Sequence, residues 1–164
     1  MPSLRQELEL SLRGRVCFMG LGNIDYGDDG FGVRLAEELM AAGVPDVVIG
    51  GISPDRWIGQ VSNFDHVLFL DAVDCGATPG SVALLSCAEL AARFPQISTH
   101  KISLGVLAKW VEMNGITKAW LLAAQPESLK PSPDLTPTMQ TSLQLLRRLL
   151  CSLPFADRLV GART

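Results

Sequence analysis

Three kinds of acid or imidazole position fall where short apolar runs give way to turns. The run at residues 15–19 leads into Gly20-Leu21-Gly22-Asn23-Ile24-Asp25-Tyr26-Gly27, after which Asp28 and Asp29 open a helical pattern. Asp71 ends the run Val67-Leu68-Phe69-Leu70-Asp71, where a carboxylate in place of another apolar residue is pushed to the edge of a sheet. His100, one of only two histidines, stands just before a helical pattern that begins near Lys101. Ligands of open α/β sheets bind beyond the carboxyl ends of the strands, so the Asp28–Asp29 pair, Asp71 and His100 could converge at one sheet edge. Two carboxylates and one imidazole leave positions open for water or substrate. That mixed donor set suits a borderline transition metal such as nickel or zinc better than calcium or magnesium.

Each position also has an ordinary structural reading. Asp28 and Asp29 at a helix start are natural N-cap and first-turn residues, stabilised by the free N–H groups and the helix dipole. One side chain cannot fill both roles, so the pair allows Asp28 to cap while Asp29 projects elsewhere. Asp71 could instead bond the following loop in an Asx-type turn, and His100 in Ser98-Thr99-His100 could cap or pack at its helix start.

The elements that must position these groups follow an α/β pattern. Residues 15–19, 46–49, 66–70, 81–85 and 118–123 read as strands, apolar nearly throughout, as expected where a sheet is covered on both faces. Residues 30–42 place apolar side chains largely on one side and end at Gly43 with Pro45 beyond, a helix with its C-terminal stop. Residues 54–62, 87–94, 101–114 and 137–153 are further helices, and 3–12 forms one more candidate. The expectation is a three-layer α/β domain over 15–154, a mostly parallel five-stranded sheet with helices on both faces, preceded by an extension at 1–14 and followed by a tail at 155–164.

Composition narrows the function classes. The 164 residues carry 48% hydrophobic and 19% charged side chains, which supplies one core and argues against disorder. A net charge of -3, with no run of Lys or Arg, disfavours nucleic acid as a partner. No apolar stretch approaches the roughly 18 residues of a membrane span, and residues 1–12 carry no apolar h-region. A soluble, cytoplasmic protein is therefore expected. Four scattered cysteines without a C-x-x-C pair read as thiols and disfavour a structural zinc site.

Other chemistries lack their signals. The Gly20-x-Gly22 turn has no third glycine for a dinucleotide, and the second strand ends without an acid to hold a ribose. There is neither a phosphate-binding G-x-x-x-x-G-K-S/T loop nor a G-x-S-x-G elbow. A thiol nucleophile at Cys75, served by His100, stays open as a minor alternative.

The segment Gly20-Leu21-Gly22-Asn23-Ile24-Asp25-Tyr26-Gly27-Asp28-Asp29-Gly30-Phe31-Gly32 resembles the opening signature of the nickel-iron hydrogenase maturation endopeptidases. Leu70-Asp71-Ala72-Val73-Asp74 is similar to the family's second acidic segment and Ser98-Thr99-His100 to its histidine segment. Gln125-Pro126-Glu127-Ser128-Leu129 with Leu135-Thr136-Pro137 resembles its late proline-containing loop. Four motifs in order on the expected elements are specific. The resemblance implies a phosphorylase/hydrolase-like sheet and an enzyme that removes the C-terminal extension of a hydrogenase large-subunit precursor once nickel has been inserted. It further implies no tightly bound cofactor, because the nickel arrives with the client and is met by Asp29, Asp71 and His100. Two departures stand out: fourteen residues precede the first strand, and the second strand ends Val48-Ile49-Gly50-Gly51 where the family often has an acid before the glycine pair. The competing readings are a nucleoside hydrolase or phosphorylase on a similar sheet, and a non-catalytic metal- or partner-binding accessory protein. The identity of the client, the cut position and the oligomeric state are not encoded in these motifs.

Overall fold

The computed structural model describes residues 1–93 and 103–154. His100, the ends of the expected helices at 94 and 101–102, and the tail at 155–164 lie outside them. The apolar runs form strands β1 (Val16–Leu21), β2 (Val47–Gly51), β3 (His66–Ala72), β4 (Val82–Ser86) and β5 (Lys118–Ala124). They join one sheet in the order β2-β1-β3-β5-β4, parallel except for β4. The link at 73–81 contains no helix to carry the chain back along the sheet. β4 therefore starts at the carboxyl end of β3 and runs the opposite way.

Helices α1 (Leu4–Ser11), α2 (Phe31–Ala41), α3 (Cys87–Arg93), α4 (Leu104–Glu112) and α5 (Pro137–Ser152) cover both faces. On one face Phe18, Leu68, Leu70 and Leu122 meet Leu8 of α1, Leu35 and Leu39 of α2, and Leu143 and Leu146 of α5. On the other, Met19, Phe69 and Leu121 meet Leu90 of α3, then Leu104, Leu107 and Val111 of α4. The alternation of neighbours between two cores is the period-two rule of a strand buried on both sides. The expected three-layer α/β architecture stands.

Segment 1–14 contributes to this packing. Ser3 and Gln6 form a reciprocal capping box at the start of α1, and Leu8 and Leu12 enter the same core as α5. The α-helix expected at 54–62 is instead a 3-10 helix, Pro54–Asn63. Its packed residues, Pro54 with Trp57 and Ile58 with Val61, recur at intervals of three, which suits three residues per turn. Among the described residues no helix is long and apolar enough to cross a membrane.

A histidine latch holds the amino edge of the sheet. Trp120 Nε1–H can only donate, and it lies 3.1 Å from His66 Nδ1. The ring must therefore be neutral with its proton on Nε2, which donates to the Arg13 carbonyl at 2.9 Å. Burial holds the pKa of His66 below its ordinary 6.5, against smaller opposing effects of the Arg13 carbonyl and Asp65. A histidine with a depressed folded pKa binds fewer protons folded than unfolded, so its contribution is complete above pH 6.5 and is lost as pH falls through the folded value. Thermal melts of the wild type should thus lose stability between neutral pH and pH ~5. His66→Gln should flatten that part of the profile, and an unchanged profile would refute the latch.

Candidate active site

The loop after β1 is shaped by glycine. Gly22 adopts φ 126°, and a Cβ there would overlap the Asp29 carbonyl oxygen. Asn23 Oδ1 accepts the Asp25 N–H at 2.9 Å, and the Asn23 N–H donates to Asp29 Oδ2 at 2.9 Å. This turn leads into a short 3-10 helix, Gly27–Gly30, that runs directly into α2. A Cβ at Gly32 would collide with the carbonyl oxygens of Leu70 and Leu21, and one at Gly20 would sit 2.5 Å from the Gly32 carbonyl. Missing side chains thus let the start of α2 press onto the carboxyl ends of β1 and β3. The turn bearing Asp29 is carried to the strand bearing Asp71.

The two carboxylates differ in exposure. Asp29 is part-buried and has one carboxylate oxygen oriented by the Asn23 N–H; its carboxylate accepts no other hydrogen bond among the described residues. Asp71 lies within β3, one residue before its end, and is fully buried. His100, the third member of the expected set, lies outside the described residues. Among the described residues no three His, Cys, Asp or Glu side chains come together as a metal-binding group.

Asp28 takes a different place from the N-cap reading. Neither the 3-10 helix nor α2 has a side-chain cap. The fully buried Asp28 carboxylate instead accepts the N–H groups of Glu127 and Ser128 at 3.0 Å and of Thr136 at 2.8 Å, and the Thr136 hydroxyl at 2.9 Å. Thr136 is the N-cap of α5, so the buried charge also faces a helix amino end. Backbone bonds from Gly27 to Ser132 and from Ser132 to Asp25 lace the same two loops together.

Gln125 does comparable work for the loop after β3. Only 6% exposed, its Oε1 accepts the N–H groups of Cys75 at 2.9 Å and Ala77 at 3.1 Å, while its Nε2 donates to Asp74 Oδ1 at 3.0 Å. That hydrogen bond, with another from Gly76 N–H, holds the Asp74 carboxyl below the usual range. All four cysteines are free thiols. The Cys75 thiol lies 3.4 Å from Gln125 Oε1, an amide oxygen that accepts a hydrogen bond but is no general base. The motif match marked the loops of Gln125 and Thr136 without assigning either a task; a buried amide directly after a strand was the local signal.

The family model described as hydrogenase maturation protease matches residues 33–152. The chain belongs to the hydrogenase maturation protease family. The hydrogenase 2 maturation protease of Escherichia coli (strain K12) is 32% identical over 138 residues, covering 79% of this chain and 84% of the relative. The solved [NiFe] hydrogenase maturation protease HycI from Thermococcus kodakarensis KOD1 superposes with a TM-score of 0.75 at 26% identity, over 88% of this chain and 94% of that one. The hydrogenase maturating endopeptidase HybD from E. coli gives 0.72 at 28%, over 90% and 94%. This family member is therefore a peptidase built on the family's sheet. The nucleotide-processing reading yields to that membership.

Proposed function

We propose that this maturation protease removes the C-terminal extension of a hydrogenase large-subunit precursor after nickel insertion, and that Asp29, Asp71 and His100 recognise the client's nickel. The observation that carries the reading is the contact of α2 on β3 at Gly32, which brings the Asp29 turn to the Asp71 strand. Asp29, part-exposed and oriented by one backbone N–H, is the carboxylate a docking client meets first, with Asp71 deeper. A backbone donor on one carboxylate oxygen fixes the direction of the other, as partners of metal ligands do. Nickel belongs to the client in this scheme; met by Asp29, Asp71 and His100, it would supply Lewis-acid chemistry beside the bond to be cut, at the carbonyl or at a bound water.

Purified protein incubated with nickel-loaded and nickel-free precursor, and read by mass, tests this. Loss of the extension from the loaded precursor alone is expected. Failure to cut either form would overturn the reading in favour of a non-catalytic accessory role, and equal cutting of both would remove nickel recognition. Pre-treatment of the protease with a chelator, followed by its removal, should leave processing unchanged. Stoichiometric, chelator-resistant zinc would instead indicate an ordinary metallohydrolase.

A further inference from the structure

α4 carries two apolar stripes where one suffices to bury it. Leu104, Leu107, Ala108 and Val111 point into the core against the sheet. At about 100° per residue, Val106, Trp110 and Met113 line the outward side, spaced four and then three apart. Their exposures are 42%, 43% and 79%, and Ile116 beyond them is 69% exposed. A helix apolar on both sides belongs inside a larger core, and roughly 400 Å² of joined apolar surface on a soluble domain marks an interaction site. The stripe lies away from the chemistry. α4 ends near Lys118, where β5 begins, whereas Asp71 stands at the far end of β3 with the Asp29 turn against it. A client that engages those carboxylates meets the other end of the domain.

A two-fold interface must complement itself, and this stripe does. Two α4 helices laid antiparallel about an axis at Trp110 bring residues whose numbers sum to about 220 level with one another. Trp110 then meets Trp110 of the second copy, and Val106 meets Met113, a small side chain against a long adaptable one. Lys109 and Glu112 share one border of the stripe, so the same rotation sets Lys109 of each copy beside Glu112 of the other. Lys109 is exposed and makes no ion pair among the described residues. Glu112 commits only Oε2, which accepts the Ala119 N–H at 2.9 Å. A stable dimer covers about 800 Å² on each copy, so the apolar stripe supplies roughly half and the charged border the rest. We infer that α4 pairs two copies of this chain in an antiparallel two-fold dimer, with the carboxyl ends of both sheets left free for clients. The inference does not depend on the proposed function.

Sedimentation velocity of the full chain from about 1 to 500 μM tests it. The average mass should rise from that of one chain to that of two. Met113→Asp sets a carboxylate at an exposed position and should raise the dissociation constant at least about tenfold, with the unfolding midpoint unchanged. Charge tests the register. Lys109→Glu and Glu112→Lys should each weaken self-association, because like charges then face each other across the axis. Mixed in equal amounts, the two variants should dimerise again, since every charge meets its opposite. A wild type that keeps the mass of one chain at the highest concentration, or a Met113→Asp variant that dimerises as the wild type does, overturns the dimer. A wild type that stays single while Met113→Asp raises KM for the precursor gives the stripe to the client and refutes the dimer equally. No rescue in the mixture, with both variants folded, overturns the antiparallel pairing. Should Glu112→Lys fail to fold for want of the Ala119 bond, the concentration series and Met113→Asp decide.

Discussion

Asp29→Asn is expected to abolish processing of nickel-loaded precursor while leaving the fold intact. The amide oxygen can keep the bond from the Asn23 N–H, so the turn is preserved. What disappears is the negative charge that is proposed to meet the client's metal. Loss of a mere outer-shell partner costs about 10- to 100-fold, and loss of a direct donor should exceed that. Asp29→Ala should behave alike in activity and lose about 1 kcal/mol of stability with the Asn23 bond. His100→Ala and Asp71→Asn should join the same inactive class. The measurement is precursor processing by mass beside a denaturant melt. Wild-type processing by Asp29→Asn would remove Asp29 from the site.

The neighbouring acid should give the opposite balance. Asp28→Ala deletes a buried acceptor shared by Glu127, Ser128 and Thr136, leaving three backbone N–H groups and one hydroxyl to find other partners. Breaking such a buried charged network costs about 3 to 5 kcal/mol. At about 2 to 4 °C per kcal/mol for a domain of this size, the melting temperature should fall by roughly 10 °C. Asp28→Asn should recover only part, since its amide oxygen can serve the Glu127 and Ser128 N–H groups while its NH2 then faces the Thr136 N–H and the charge is lost. Residual processing at low temperature, where the fold survives, would separate this clasp from Asp29. An unshifted unfolding midpoint in Asp28→Ala would show that the two loops are held by the backbone bonds of Gly27 and Ser132 alone.

The sequence by itself determined the layered sheet, because strands buried on both faces must be apolar nearly throughout, and β1, β3 and β5 announce themselves that way. It also determined the family, since the Gly20–Gly32 signature combines glycines that allow close backbone approach with the paired acids. Even so, local rules reach only three or four residues along the chain, and they read Asp28 as a cap for its own helix. Its partners stand 99 to 108 residues away, a relation that no local pattern records. The same holds for Gln125, whose side chain closes on a loop some 50 residues earlier, and for α1, whose Leu8 and Leu12 enter a core completed by α5. The place of β4 at the sheet edge likewise depended on β5 entering between it and β3. That insertion set Ala83 in the same row as Ala123 and Asp71. Two alanines 40 residues apart in sequence became neighbours because strand register, which is a property of the folded sheet, brought them side by side.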